Sequence, residues 1–339
     1  MSARVLVVGA GALGGVMAAK LTRAGRDVSV IDANVAHVAQ MNSPGLRVNV
    51  IDEEWLVPIN AVSDVSELAG PFDFALLTIK SPFIKAAIQP LLDRELVGTY
   101  VSLGNGLIQD RIQELTGQER LVIGTVSWGA TNFGPGHVAQ TTIAPISIGE
   151  IHSGMTDRLR NLADVLEVIA EVHYSDRIYG QVWAKLLLNS TFSGLSAVTG
   201  LVYGDVCALP QGRELAFKLW TEGYDVACAL GIDLDEVAGV DPLDLVVRGS
   251  AELPHANRTL DELMARIGQT KASMLQDLEK GAITEVDVIN GGVVENARRV
   301  NIPSPYNSSV VEILHSCEND KLMPGVSNLA LMGGLTGGL

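Results

Sequence analysis

The 339-residue sequence is poor in cysteine and in positive charge, and each shortage excludes something. Lysine and arginine number 24 against 39 acidic residues, a net charge of −15. A chain of that sign repels a phosphate backbone, so no nucleic-acid partner is expected. The three cysteines, Cys207, Cys228 and Cys317, form no CxxC pair and supply no disulfide framework, which fits a reducing cytoplasm. The six histidines show no HExxH or other ligand spacing, and no GxSxG elbow occurs, so neither a metal site nor a serine nucleophile is expected. Long apolar runs are missing too. Val182 to Val202 is interrupted by Lys185 and Asn189, and Val5 to Ala19 is split by glycines, so neither a membrane span nor a signal peptide is expected.

The sequence does have a globular composition, 47% hydrophobic and 19% charged, and a length that predicts two domains. Arg4 to Val8 and Val28 to Ile31 read as buried strands with a helix over Ala12 to Arg23 between them. Phe74 to Thr78 and Thr99 to Leu103 read as further strands, followed by helices over 83–92 and 107–115. Such alternation predicts βαβ units and a parallel sheet. Segments 121–128, 137–142 and 146–149 read as a meander. Helical periodicity then dominates, over about 177–199, 212–230, 259–280, 285–300 and 307–317, with 231–259 irregular. The expected fold is α/β: an N-terminal Rossmann doubly wound sheet over residues 1–172, a C-terminal all-α substrate and dimerisation domain over 173–322, and a disordered tail over 323–339.

Gly9-Ala10-Gly11-Ala12-Leu13-Gly14 is a GxGxxG that directly follows a buried strand and opens a helix. Gly9 permits the tight turn, Gly11 lets backbone approach a pyrophosphate, and Gly14 lets helix pack on strand. The helix N-terminus offers free N–H groups to phosphate. Asp32 ends the second strand, where an acid accepts hydrogen bonds from ribose hydroxyls and repels a 2′-phosphate. NAD is therefore the favoured cofactor and NADP the alternative.

With these motifs in place, the chain resembles the ketopantoate reductase family (2-dehydropantoate 2-reductase, PanE/ApbA-like) over roughly residues 4–318. The glycine motif is joined, in order, by Thr78-Ile79-Lys80-Ser81, Gly104-Asn105-Gly106-Leu107, Trp183-Ala184-Lys185-Leu186-Leu187-Leu188-Asn189, Ser273-Met274-Leu275-Gln276-Asp277 and Thr284-Glu285 followed by Ile289-Asn290-Gly291. The resemblance implies NAD(P)H-dependent reduction of a 2-keto acid, with Lys185 as general acid and Glu285 as its catalytic partner. It implies that Asn105, Asn189 and Ser273 contact substrate and that Lys80 and Asn105 lie near the nicotinamide. The chemistry is independently reasonable: hydride addition to a ketone leaves negative charge on oxygen, which a cation or acid must stabilise and protonate. Lys185 lies on an otherwise apolar helix, where burial lowers its pKa, and Asn189 follows one turn later.

The chain also departs from that pattern. Ser193 and Thr270 stand where the family often has substrate-holding asparagines, and Asp32 stands near where NADPH-preferring members tend to carry a basic residue. These positions motivate an alternative, an NAD-dependent 2-hydroxy acid dehydrogenase of the same family with another substrate. A third reading, of a different class, is a non-enzymatic NAD(H)-responsive binding protein. The partner expected is a small 2-keto or 2-hydroxy acid, and the helical domain suggests a homodimer.

Overall fold

The computed structural model describes residues 3–151 and 154–333. The chain divides into two compact units. One comprises the residues up to Gly104 together with Ile108–Ile178, and the other Asn105–Leu107 together with Tyr179 onward.

The first unit contains β1 (Arg4–Val8), α1 (Ala12–Arg23), β2 (Asp27–Ile31), α2 (Val35–Gln40), β3 (Leu46–Val50), β4 (Glu53–Val57), β5 (Ala61–Val62) and β6 (Phe72–Leu77). It continues with α3 (Ile84–Asp93), β7 (Val97–Ser102), α4 (Ile108–Thr116), β8 (Leu121–Val126), β9 (Ala130–Gly134), β10 (His137–Gln140), β11 (Ile146–Gly149), α5 (Asp157–Leu166) and β12 (Val172–Tyr174). Val5, Leu6 and Val7 are fully buried, as a strand covered on both faces of a parallel sheet requires. Each such side chain stabilises the fold by roughly 1.5–3 kcal/mol.

Among the described residues the strands form an eight-stranded sheet of order β12-β11-β8-β7-β6-β1-β2-β5 and a four-stranded sheet of order β4-β3-β10-β9. β1 pairs in parallel with β2 on one side and β6 on the other. The winding direction reverses at β1, and ligands of doubly wound sheets bind at the carboxyl end of such a strand. The meander expected over 121–149 is split. β8 and β11 pair antiparallel within the large sheet, whereas β9 and β10 form a hairpin whose β10 pairs in parallel with β3. α1 packs against the smaller sheet, where Gly15 brings its backbone close to Val138.

The second unit is helical: α6 (Ile178–Leu188), α7 (Gly194–Thr199), α8 (Tyr203–Ala208), α9 (Pro210–Ala229), α10 (Leu253–Ile267), α11 (Ser273–Glu279), α12 (Asn290–Arg299), α13 (Pro305–Glu318) and α14 (Leu329–Gly333). A π-helical turn, Asn189–Ser193, joins α6 to α7 without a break. The single helix expected over 259–280 is two. α10 starts earlier, inside the segment expected to be irregular, because Pro254 serves as a first-turn residue, and Gly268 ends it. The tail expected to be disordered from residue 323 is instead structured as far as α14. Leu329 and Met332 are buried there, and Asn328 donates to the carbonyls of Val198 and Met323. Residues 334–339 lie outside the described residues.

A buried polar chain organises the middle of this unit. The Glu222 carboxylate on α9 accepts from the backbone N–H groups of Tyr306 and Asn307 at 2.8 and 2.9 Å, capping α13, and from the Asn307 amide at 2.9 Å. Asn307 Oδ1 in turn accepts from Asn290, which also donates to the Ser190 carbonyl in the π turn. Glu222→Gln would turn an amide N–H₂ toward one of those donors. Chemical denaturation should show a loss of about 1–3 kcal/mol, the cost of a buried donor left unsatisfied. An unchanged midpoint would mean that the cap contributes nothing.

Candidate active site

In the first unit the glycine loop sits at the carboxyl end of β1, and each of its glycines has a different physical reason. Gly9 has φ +86°, and a side chain there would collide with Ile79. A Cβ on Gly14 would lie 2.0 Å from the Gly9 carbonyl oxygen and 2.3 Å from Thr78 Oγ1. Gly11 differs: φ is −59°, and a Cβ would meet nothing within 4 Å. No packing neighbour requires glycine at position 11, although its ψ of −155° lies just outside the usual β region. A bare backbone facing open space ahead of α1 suits the close approach of a pyrophosphate.

The loop is pinned from several sides. Ala10 donates its N–H to Asp32 Oδ2 at 2.7 Å, while Asp32 Oδ1 accepts from Asn34 N–H at 2.8 Å. Each carboxylate oxygen keeps lone-pair capacity for a further donor such as a ribose hydroxyl. Asn34 rather than Asp32 caps α2, accepting from His37 N–H. Thr78 donates to the carbonyl of Gly9 at 2.6 Å, which sets the Thr78–Lys80 segment against the loop at the carboxyl end of β6. Gly9 to Gly14, Asp32 and the half-buried Lys80 thus share one end of the sheet.

In the second unit Lys185 lies on α6 among buried neighbours, Trp183, Ala184, Leu186 and Leu187, and is itself half-buried. Burial lowers its pKa to about 8 against the opposing pull of the Glu285 carboxylate. Glu285 is 8% exposed and accepts from the Asn105 amide at a long 3.4 Å. Asn105 is held there by its neighbours. Gly106 has φ +71°, and a Cβ would lie 2.4 Å from the Val288 carbonyl, while Leu107 N–H donates to that carbonyl at 2.9 Å. Asn105, Lys185 and Glu285, far apart in sequence, are thereby brought together.

Asn189 is half-buried and follows Lys185 by one helical turn. A continued α-helix would rotate Ser193 about 80° away from Lys185. The wider π turn takes most of that rotation back. Ser193 is 3% exposed, and its hydroxyl lies 2.5 Å from the hydroxyl of Tyr203, itself 4% exposed. Thr270 and Ser273 are exposed, Thr270 in the break between α10 and α11 and Ser273 at the first residue of α11. The Thr270 carbonyl accepts from Tyr203 N–H at 3.2 Å, and Ala272 N–H reaches Ser196 Oγ at 3.4 Å. These bonds fix the segment beside the π turn, while Thr270 and Ser273 themselves stay exposed. Tyr203 and His37 escape sequence reasoning, since each acquires its importance from a partner that no spacing reveals.

Among the described residues no group of three or more His, Cys, Asp or Glu could hold a metal ion, and no helix is long and apolar enough to cross a membrane.

Residues 5–153 match the family described as ketopantoate reductase PanE/ApbA, and residues 177–318 match its C-terminal domain. A 2-dehydropantoate 2-reductase of Pyrococcus abyssi is 30% identical over 308 residues, covering 90% of this chain and 94% of that protein. One from Mesorhizobium japonicum is 29% identical over 336 residues, covering 92% and 96%. A PanE/ApbA family ketopantoate reductase structure from Ralstonia eutropha superposes with TM-score 0.80 at 25% identity, covering 94% of this chain and 99% of that one. A D-mandelate dehydrogenase solved with NADH and anilino(oxo)acetate shares the fold, with TM-score 0.80 at 24% identity and the same coverage.

The two glycines give a paired prediction. Gly11→Ala should leave the melting temperature within a few degrees, about 1 kcal/mol or less, while weakening NADH binding measured by fluorescence titration. Gly14→Ala should instead destabilise by about 1–3 kcal/mol through overpacking. Equal NADH affinity in Gly11→Ala and wild type would show that nothing approaches the backbone there. By sequence and by fold, the chain belongs to the ketopantoate reductase PanE/ApbA family, oxidoreductases acting on a CH–OH group.

Proposed function

We propose that this protein reduces a 2-keto acid with NADH or NADPH, ketopantoate being the first substrate to test, with Lys185 as general acid. The observation that carries the reading is the half-buried Lys185 set against the buried Glu285 carboxylate, where burial outweighs the carboxylate's pull and brings the ammonium's pKa down to about 8. A lysine tuned that far gives up a proton near neutral pH and still holds one in the resting state. A bound nicotinamide would supply the hydride. Lys185 then donates its proton to the carbonyl oxygen as charge develops there, and Glu285 holds the ammonium in place. Asn105 and Asn189 are assigned to orienting the substrate, and Ser273 to its carboxylate. Gly9, Ala10, Gly11, Ala12, Leu13 and Gly14 hold the dinucleotide phosphates, with Lys80 near the nicotinamide. Asp32 favours NADH, because a 2′-phosphate would meet its carboxylate. If ketopantoate is the substrate, the protein serves pantothenate biosynthesis. Membership of an oxidoreductase family sets aside the reading as a non-enzymatic NAD(H)-responsive protein.

One observation favours a second reading within the family. The Ser193 hydroxyl is engaged by the Tyr203 hydroxyl in the interior, and Thr270, itself exposed, accepts from the Tyr203 backbone N–H with its carbonyl. Such a site would suit a 2-keto or 2-hydroxy acid other than ketopantoate, handled as an NAD-dependent 2-hydroxy acid dehydrogenase.

Absorbance at 340 nm decides between them. Ketopantoate and a panel of branched and aromatic 2-keto acids are assayed with each cofactor, and the matching hydroxy acids in reverse. Turnover of ketopantoate alone defeats the second reading, and strong NAD-linked turnover of another acid with weak ketopantoate reduction defeats the first. Because the protonated lysine is the active form for reduction, kcat/KM should be level below the Lys185 pKa of about 8. Above it the value should fall about tenfold per pH unit, whereas for oxidation it should rise about tenfold per unit up to that pKa and level off beyond it. Lys185→Ala should lower kcat about a hundredfold or more and leave NADH binding intact. An unaltered kcat would remove Lys185 from the mechanism.

A further inference from the structure

His37 is buried, 3% exposed, in the first turn of α2. Both ring nitrogens are engaged: Nδ1 lies 2.8 Å from the backbone nitrogen of Gly136, and Nε2 lies 2.8 Å from the carbonyl oxygen of Ala10. A backbone N–H only donates, so Nδ1 carries the lone pair and Nε2 the hydrogen. Nε2–H therefore donates to Ala10. Gly136 is the turn residue between β9 and β10. The ring thus bolts the centre of the glycine loop to a hairpin of the smaller sheet.

The consequence follows from the planarity of the peptide. The Ala10 carbonyl and the Gly11 N–H belong to one trans peptide and point in opposite directions. With the carbonyl fixed on His37, the Gly11 N–H is turned away from the ring. At Gly11 the structure is open, with nothing within 4 Å of a notional Cβ. The adjacent peptide is fixed too, by the bond from Ala10 N–H to Asp32.

We propose that His37 is a positioning residue for the dinucleotide, presetting the Ala10–Gly11 peptide so that its N–H is presented to the phosphates without a reorientation cost on binding. The inference rests on the dinucleotide reading of the loop. A donor and an acceptor at this spacing are what it requires. Glutamine, whose amide carries one of each on a single carbon, meets that requirement. Phenylalanine keeps the ring's bulk and loses both bonds.

The test is direct NADH titration by fluorescence on the full chain, with melting temperatures alongside and steady-state kinetics on the preferred keto acid. His37→Phe should raise the NADH Kd about tenfold, the worth of one positioned hydrogen bond. Its KM for NADH should rise similarly while kcat is retained, and His37→Gln should stay within about threefold of wild type. The proposal is overturned if folded His37→Phe binds NADH as wild type does. It is overturned equally if His37→Gln loses as much affinity as His37→Phe. Should His37→Phe not fold, His37→Asn decides, since its shorter amide cannot span both partners, and a wild-type Kd there would overturn the proposal. Wild-type protein that binds neither NADH nor NADPH would instead defeat the dinucleotide reading itself.

Discussion

An ammonium taken partly out of water is held in its charged state by a neighbouring carboxylate, and the proposed chemistry depends on how closely those two effects cancel. Burial disfavours the Lys185 cation, while Glu285 favours it. The balance falls on the side of burial, leaving a pKa of about 8. Much of the second unit serves to place these groups. Gly106 lets residues 105–107 lie against Val288, which sets Asn105 beside Glu285. The Glu222–Asn307–Asn290 chain reaches the carbonyl of Ser190, the residue after Asn189.

The first unit solves a different problem, the shaping of bare backbone. Four backbone groups of the glycine loop are tied to partners beyond it: Gly9 N–H on the Ile31 carbonyl, the Gly9 carbonyl on the Thr78 hydroxyl, Ala10 N–H on Asp32, and the Ala10 carbonyl on His37. A loop rich in glycine would otherwise lose much conformational entropy on ordering. Here the ordering is supplied by neighbours on β2, α2 and β6 that are part of the fold. Asp32 accordingly has a structural duty that is independent of any ribose, so substitutions there act on the loop as well as on the cofactor.

What the sequence makes legible is local. The buried strands β1, β2, β6 and β7 and the helix opening at Ala12 follow from apolar runs and glycine placement, and the helical second unit follows from periodicity. Long-range pairing is not legible: β10 joins β3 across most of the unit, so the expected meander divides between two sheets. The β3–β4 hairpin also gives little warning. Its turn passes through Ile51 at φ +52°, a β-branched residue in the left-handed region, without the Asn-Gly signal of a tight hairpin. At the candidate site, motifs point to Lys185, Asn189, Glu285 and Asn105 as residue types in order. That Asn105 groups with the helical unit, and that Ser193 is tied to Tyr203, are facts of packing that no spacing contains.

The π turn between α6 and α7 gives the helix a phase shift. Upstream of it the helix presents Lys185, half-buried, and downstream it runs through the fully buried Leu195, Ala197 and Val198. One extra residue per turn uncouples the two halves, so the segment that carries the lysine and the segment that fills the interior need not share a stripe. Such a turn behaves like a single-residue insertion absorbed in place. Removing one residue between Asn189 and Ser193 would restore a uniform pitch and leave the downstream stripe in place, whereas winding the same residues as regular α-helix would swing it about 100° round the axis. The helix thus holds two registers in one rod, and the boundary between them falls at the asparagine beside the lysine.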